Sequence, residues 1–249
     1  MEEPTLDPSE CSNCNAKTTE AYCQQCGQST SVHRITFHET LGDFFSSTFA
    51  LEGPLLSTIR LLIVNPGLLL REFFVGKRKK YYKPVSFFVV LTAIYLILRA
   101  LIQYDPLEGQ LPPTYENTPP AVLRIKKAAY YMVKNINNIM FFLVFAIGFN
   151  HKLFFRKRYN LAEYVTMGFY LAGIYTLFGT LFMLFRVYVY DVPNQVALIV
   201  LMGYIFYAAI SLHQRKSVGA LIKYFLICFL SLVLYTGLGL GFSYLMVGN

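Results

Sequence analysis

The sequence predicts an all-α membrane protein with about five transmembrane helices, a small N-terminal four-cysteine module and interfacial amphipathic helices between the two. Of its 249 residues, 55% are hydrophobic and only 14% are charged, a balance outside the usual range of soluble proteins. The apolar residues concentrate after residue 84 in runs of about 17 to 25 residues, the length that a helix needs to cross a bilayer. Two pairs of cysteines lie within the first 26 residues.

The four cysteines near the N-terminus form two C-x2-C pairs, Cys11 with Cys14 and Cys23 with Cys26. Each tight turn presents two thiolates to one ion, which is typical of a tetrahedral zinc site, and Gly27 suits the turn after the second pair. Because thiolates fill all four positions, we expect one structural Zn²⁺ per chain rather than a catalytic ion. Iron in the same site and a pair of disulfides are the alternatives, although a reducing cytosol disfavours disulfides.

Three domains follow from these patterns. Residues 1–32 form the predicted zinc-ribbon module, which is too short to bury a useful core, so metal binding would supply most of its folding free energy. Residues 33–84 are predicted to hold amphipathic helices and a basic cluster, and residues 85–249 the transmembrane bundle. Ribbons of this kind commonly dock partners or stabilise the protein that carries them.

The second domain is predicted to contain only short helices. Thr36 opens a capping box, and proline and glycine signals divide the segment into helices at about 37–49, 55–64 and 67–75. None is long enough to span, so we expect them to lie along the cytoplasmic leaflet or to pack under the bundle. An ordinary small helical domain is the alternative. The basic cluster that follows is expected to contact lipid head groups through Lys77, Arg78, Lys79 and Lys80.

Five hydrophobic runs are predicted to span the membrane. They are Val85–Ile102, about Asn135–Phe155, Leu161–Phe185, Val192–Leu212 and Tyr224–Val247. The second run has the shortest purely apolar centre, and an alternative start for it lies near Ala128.

Small residues recur at four-residue intervals on two of the predicted spans. They are Gly168, Ala172, Thr176 and Thr180 in the third span, and Gly237 and Gly241, a G-x-x-x-G pair, in the fifth. Because small side chains let helix backbones approach closely in membranes, we expect both helices to pack tightly against a neighbour.

The distribution of basic residues indicates the orientation. With the N-terminus inside, three clusters lie on the cytoplasmic side: Arg71, Lys77, Arg78, Lys79, Lys80 and Lys83; Lys152, Arg156, Lys157 and Arg158; Arg215, Lys216 and Lys223. The outer side then holds Arg124, Lys126, Lys127, Lys134 and Arg186. The positive-inside rule selects this orientation, with the C-terminus outside. Because each cluster adjoins a hydrophobic run, lipid is favoured over nucleic acid as the partner of the net charge of +8.

Polar residues in or near the spans are the candidates for a functional path. They are Asn135, Asn138, Asn150, His151 and Glu163. Polar groups within lipid are costly, although the last three would lie near the interface, where a structural role is favoured. Catalytic signatures such as H-E-x-x-H, a P-loop or a pair of intramembrane acids do not occur, so we expect no enzymatic activity.

Several motifs carry a family resemblance. They are the cysteine pairs ending in Cys26-Gly27-Gln28, Arg34-Ile35-Thr36-Phe37, Pro66-Gly67, Arg71-Glu72-Phe73, Gly76 to Tyr81, and Lys83-Pro84. Together they resemble bacterial membrane proteins grouped as domain of unknown function 3667. The resemblance is specific over about residues 11–95 and continues weakly through residues 159–163. It implies a bacterial inner-membrane protein with a cytoplasmic zinc ribbon, and it carries over no catalytic role.

The expected function is that of a non-enzymatic platform. The ribbon and the short helices would bind a cytoplasmic protein partner or organise lipid around the bundle, and self-association into a homo-oligomer is left open. The alternative is a permease for a small molecule or ion, with a path along the asparagine-rich second span. Recruitment of nucleic acid by residues 1–84 is a third, disfavoured hypothesis.

Overall fold

The computed structural model describes residues 9–30, 36, 54–107, 119–190, 192–193 and 195–247. These residues form two short strands, β1 (Ser9–Glu10) and β2 (Lys17–Thr18), and eight helices: α1 (Pro54–Val64), α2 (Pro66–Val75), α3 (Pro84–Leu101), α4 (Pro120–Lys134), α5 (Ile136–Phe154), α6 (Leu161–Tyr188), α7 (Gln195–His213) and α8 (Val218–Val247). Proline begins each of the first four helices, as expected at a position whose N–H has no helical partner. The predicted helix over 37–49 lies outside the described residues.

Four helices, α3, α6, α7 and α8, are long and apolar enough to cross a membrane. They correspond to the first, third, fourth and fifth predicted spans, and this confirms the all-α membrane fold. α5 corresponds to the second span but meets the same criterion only together with α4. The described residues therefore provide four or five spans.

The second span does not continue straight toward Ala128. α4 and α5 meet at a bend of 91°, with Asn135 between them. The Asn135 side chain donates a hydrogen bond to the carbonyl of Tyr131 at 2.9 Å, a local bond of the kind that competes with helical pairing. α4 itself is a finding of the structure, since the sequence analysis assigned most of its residues to a loop. We call the end of the bundle where α3 begins the module end and the other the far end.

α6 packs against α3, α5 and α7, and its contact with α5 is especially close. A Cβ atom at Gly168 would lie 2.4 Å from the carbonyl oxygen of Val144, so only glycine fits there. This confirms close packing at the start of the predicted stripe. Farther along, Thr176 and Thr180 donate hydrogen bonds to carbonyls of α6 itself, at 3.0 and 2.9 Å.

The predicted G-x-x-x-G contact in α8 is wrong. Cβ atoms at Gly237 and Gly241 would meet nothing within 4 Å. The glycine that lies in close contact is Gly239, where a Cβ would come within 2.8 Å of Met132 and 2.9 Å of Ile139. A spacing of four residues identifies one face of a helix, but it does not tell which face a neighbour covers.

The short helices α1 and α2 pack on the bundle at the module end. Their residues Leu62, Leu69 and Leu70 are fully buried in the main core, and both helices expose other apolar side chains. Asn65 caps α2 by accepting a hydrogen bond from the N–H of Leu68, and Gly76 ends it with a positive φ of 115°. Of the predicted placements, packing against the bundle is thus the one observed for these two helices.

The Pro66-Gly67 motif brings α2 against the end of α7. A Cβ at Gly67 would lie 2.1 Å from backbone atoms of Ser211, whose hydroxyl accepts a hydrogen bond from the Gly67 N–H at 2.9 Å. The Arg71 guanidinium donates to the last carbonyls of α7, those of Ser211 and Leu212. A cation at this position satisfies carbonyls that have no helical partner.

Candidate metal centre and its junction with the bundle

The structure brings the four predicted ligand cysteines together. The Sγ atoms of Cys11, Cys14, Cys23 and Cys26 all lie within 4.8 Å of one another. The Sγ distances from Cys11 to Cys26 and from Cys14 to Cys23 are both 3.6 Å, and all four cysteines are free thiols. Cys11 and Cys23 are buried, whereas the other two lie nearer the surface.

The backbone forms the same turn around each pair. The N–H of Asn15 donates to the carbonyl of Cys11 at 2.8 Å, and the N–H of Gly27 donates to that of Cys23 at 2.7 Å. Asn15 and Gly27 both have positive φ, 59° and 69°. Glycine takes this conformation without strain, and asparagine is among the residues that tolerate it. The two turns therefore aim their thiols at one point.

The donor set fits a tetrahedral metal ion. Metal–sulfur bonds of about 2.3 Å place the sulfurs of such a site about 3.8 Å apart, close to the 3.6 Å between opposite cysteines. A disulfide would need about 2.05 Å. The cluster therefore has the spacing of a metal site.

The module is joined to the bundle through Gln28 and Lys79. Gln28 is buried, and its side-chain oxygen accepts a hydrogen bond from the backbone N–H of Lys79 at 2.9 Å. A Cβ at Gly27 would lie 3.9 Å from the Lys79 ammonium, so this cation lies beside the second cysteine turn. The sequence analysis did not identify Gln28, although it follows Cys26 within the family motif.

Glu72 organises the basic cluster. Its carboxylate forms ion pairs with Lys80 at 2.7 Å and Lys77 at 3.5 Å, and it accepts a hydrogen bond from the Tyr81 hydroxyl. The bond from Lys80, then that from Tyr81, lowers the pKa of Glu72 from 4.5 to about 2 despite partial burial. Burial and the Glu72 carboxylate raise the pKa of Tyr81 to about 12. These pairs hold the segment 77–82, which we call the basic segment, against α2.

The predicted lipid contact of the basic cluster stays a prediction. Lys77 and Lys80 pair with Glu72, yet their side chains keep 36% and 51% of their exposure. Lys79 is exposed and lies beside the cysteine module. These ammonium groups therefore remain open to solvent or lipid phosphates while they fix the protein chain.

Buried hydrogen bonds connect the basic segment with the spans. The N–H of Tyr82 donates to the Thr58 hydroxyl of α1 at 2.9 Å, and the Tyr82 carbonyl accepts from the Tyr170 hydroxyl of α6 at 2.6 Å. The ring of Tyr170 also lies edge-on to that of Phe73, with centroids 5.6 Å apart. The metal centre is thus linked to α6 by a chain of direct contacts.

The predicted polar path is divided between the two ends of the bundle. Asn135 and Asn138 line a cavity at the far end. Asn150 and His151 lie at the module end, about 18 Å from Asn138 at 1.5 Å per residue, and the residues between are all apolar. The described residues therefore form no continuous polar path, and the permease hypothesis gains no support from them.

The module-end members of the predicted path have structural partners. The Asn150 amide donates to the carbonyl of Ala146 at 2.9 Å and to the Ser231 hydroxyl at 3.3 Å. Glu163 forms the capping box of α6 with Asn160. These bonds satisfy buried polar groups and fix the ends of helices, as the structural interpretation of these residues expects.

His213 is a buried neighbour of His151 that the sequence analysis missed. Its ring stacks on Phe155 with centroids 3.8 Å apart, and the His151 and Tyr224 rings lie 6.1 and 5.8 Å away. The predicted fourth span ended at Leu212, one residue earlier, so His213 was assigned to a loop. These aromatic rings join the module ends of α5, α7 and α8.

The fold and the cysteine cluster define a class: a multi-pass helical membrane protein with a small four-cysteine module that can hold a metal ion. Residues 52–96 match the family model described as "Protein of unknown function (DUF3667)". The match confirms the family resemblance, and it covers α1, α2, the basic segment and most of α3. Curated proteins and solved structures give no match to the chain.

Proposed function

We propose that this chain is a non-enzymatic platform of the bacterial inner membrane, whose zinc-loaded module docks a protein partner on the cytoplasmic side. The convergence of four thiols within 4.8 Å, on a module attached to the bundle, carries the proposal. Four thiolates leave a zinc ion no open position for substrate, which favours a structural role over a catalytic one. The ion would carry a net charge of −2 with its ligands, and the nearby Lys79 ammonium would offset part of it.

An exposed aromatic residue marks the surface for the partner. Tyr22 lies between the two cysteine turns and keeps 65% of its exposure, more than any other large apolar side chain of the described module. Exposed tyrosines are frequent anchors of protein interfaces, because the ring supplies a large contact area at a small cost in entropy. The metal would hold Tyr22 in place, since the module has almost no core of its own.

The orientation of the platform rests on the basic residues. Its three basic clusters all adjoin the module ends of helices, and the positive-inside rule places such an end in the cytoplasm. The exposed ammonium groups of Lys77 and Lys80 would then lie near anionic phosphates of the inner leaflet.

A photo-crosslinking amino acid in place of Tyr22 tests the docking proposal in living cells. We expect a protein adduct at this position that disappears when Cys11→Ser removes a metal ligand. The same probe in place of Tyr188, which is 70% exposed at the far end, serves as the matched control and should give no such adduct. A Tyr22 adduct that persists without Cys11, or no protein adduct at all, would refute metal-dependent docking.

A further inference from the structure

Two adjoining cavities lie at the far end of the bundle. One has a volume of about 390 Å³ and is lined mainly by polar and cationic side chains. The other has a volume of about 400 Å³ and is lined mainly by apolar and aromatic side chains. Tyr104 lines both. Each volume falls within the range of natural ligand sites.

The polar cavity has the chemistry of an anion site. Its lining contains Arg99 and Lys134 together with the amides of Asn135 and Asn138, and no acidic residue. The Arg99 guanidinium donates from Nε to the carbonyl of Tyr104 and from Nη1 to that of Lys134, both at 3.1 Å. Carbonyls orient this cation but do not neutralise it.

Neither cation has an acidic partner among the described residues, where the ion pairs given are those of Glu72. Asp105, the acid nearest to Tyr104 in the chain, accepts a hydrogen bond from the Leu107 N–H at 3.0 Å. An oriented guanidinium beside an ammonium and two amides is the arrangement that recognises a phosphate.

The apolar cavity extends from this site toward the middle of the bundle. Tyr95 lines it six residues before the end of α3, and Tyr175 thirteen residues before the end of α6, which correspond to depths of about 9 and 20 Å. Leu198 lines it as well and is 47% exposed, so the cavity borders the lipid-facing surface of α7. Gly179 leaves part of it open, since a Cβ there would meet nothing within 4 Å.

We propose that these cavities form one binding site for an anionic phospholipid, with the head-group phosphate between Arg99 and Lys134 and an acyl chain in the apolar cavity. The charge requires an anion, and the depth and lining of the second cavity require a hydrocarbon chain attached to it. A membrane lipid joins the two at this depth, because the phosphate lies at the interface and the chain runs into the core. The site is separate from the cysteine module and holds whether or not that module docks a partner.

Native mass spectrometry of the full-length chain in a mild detergent tests the assignment. Phosphatidylglycerol and phosphatidylcholine with identical acyl chains are the probes, and we expect preferential retention of phosphatidylglycerol. Arg99→Gln and Lys134→Gln should each weaken its binding about tenfold, as the loss of a charge-assisted hydrogen bond predicts. Lys126→Gln is the control, because Lys126 is exposed on α4 and lines neither cavity.

The apolar half has its own variant. Gly179→Leu should fill the cavity and expel the acyl chain without a backbone clash, whereas Gly203→Leu, also at a glycine whose Cβ would meet nothing within 4 Å, should leave binding unchanged. This pair decides the proposal even where Arg99→Gln disturbs folding, which size-exclusion chromatography would show.

Four results would overturn the site. They are equal retention of the two lipids, an equal loss in Lys126→Gln, full binding in Gly179→Leu, and displacement of phosphatidylglycerol by inorganic phosphate at comparable concentration. The last result would mean a phosphate-ion site with no place for a lipid chain.

Discussion

Replacing Glu72 with glutamine should loosen the basic segment. The substitution keeps the size of the side chain but removes the charge that pairs with Lys80 at 2.7 Å and Lys77 at 3.5 Å and that accepts the Tyr81 hydroxyl. Two ammonium groups would then lie side by side without their common carboxylate. Because Lys79 of the same segment bonds to Gln28, the attachment of the cysteine module should loosen with it.

The magnitude follows from the pKa of Glu72. A change from 4.5 to about 2 corresponds to about 3.4 kcal/mol in favour of the ionised form. Because the Lys80 side chain is 51% exposed, water screens the pair, and we expect about 1–2 kcal/mol. The pKa is lowered in the folded chain, so this stabilisation is complete above pH 4.5 and is lost as the pH falls toward about 2.

Hydrogen–deuterium exchange at neutral pH measures the effect where it arises. The backbone N–H groups of Lys79 and Tyr82 are hydrogen-bonded to side chains, so peptides that cover residues 77–82 report opening of the segment. A loss of 1–2 kcal/mol should speed exchange there about 5- to 30-fold. Glu20→Gln, which alters an exposed carboxylate on the module, should not. Unchanged exchange in Glu72→Gln, or an equal rise in the control, would refute the role of Glu72.

Three further substitutions test the packing of the bundle by thermal unfolding in detergent. Gly67→Ala should lower the melting temperature strongly, because its Cβ would lie 2.1 Å from the backbone of α7, whereas Gly203→Ala, with nothing within 4 Å, should change it little. Tyr170→Phe should cost about 1–3 kcal/mol by leaving the buried carbonyl of Tyr82 unpaired, and an unchanged melting temperature would contradict that bond. Asn160→Ala should cost about 1 kcal/mol through loss of the α6 cap, which its replacement by serine should restore.

The spans and the metal cluster could be predicted because their signals are local. A helix that crosses a bilayer needs one uninterrupted apolar run, and four such runs appear in the structure within a few residues of the predicted bounds at most ends. Two C-x2-C pairs likewise specify a common focus for four thiols through the turn each pair makes. Neither signal depends on which helix packs against which.

The features that the sequence analysis missed all depend on distant contacts. Glu72 is charged and lies in a short helix, and only the fold shows that Lys77, Lys80 and Tyr81 converge on it. The bend at Asn135 places a helix where a loop was predicted. Gly239 rather than the predicted pair contacts a neighbour, because the rotation of α8 is set by its packing against α4 and α5.

The family match gains a physical meaning from the junction. Residues 52–96 include Thr58, Glu72 and the whole basic segment, whose contacts connect the cysteine module with α6. The metal ligands themselves lie outside this match. The matched residues thus form the support on which the module rests.

Metal analysis of the purified full-length protein tests the central claim most directly. We expect one zinc per chain in the natural protein and in Cys228→Ser, whose cysteine is buried in the bundle away from the module. Cys11→Ser and Cys23→Ser should each lose the ion, since the site then has three thiolates. A protein without metal and without free thiols in the module would contain disulfides instead, and this result would contradict both the zinc site and the cytoplasmic orientation.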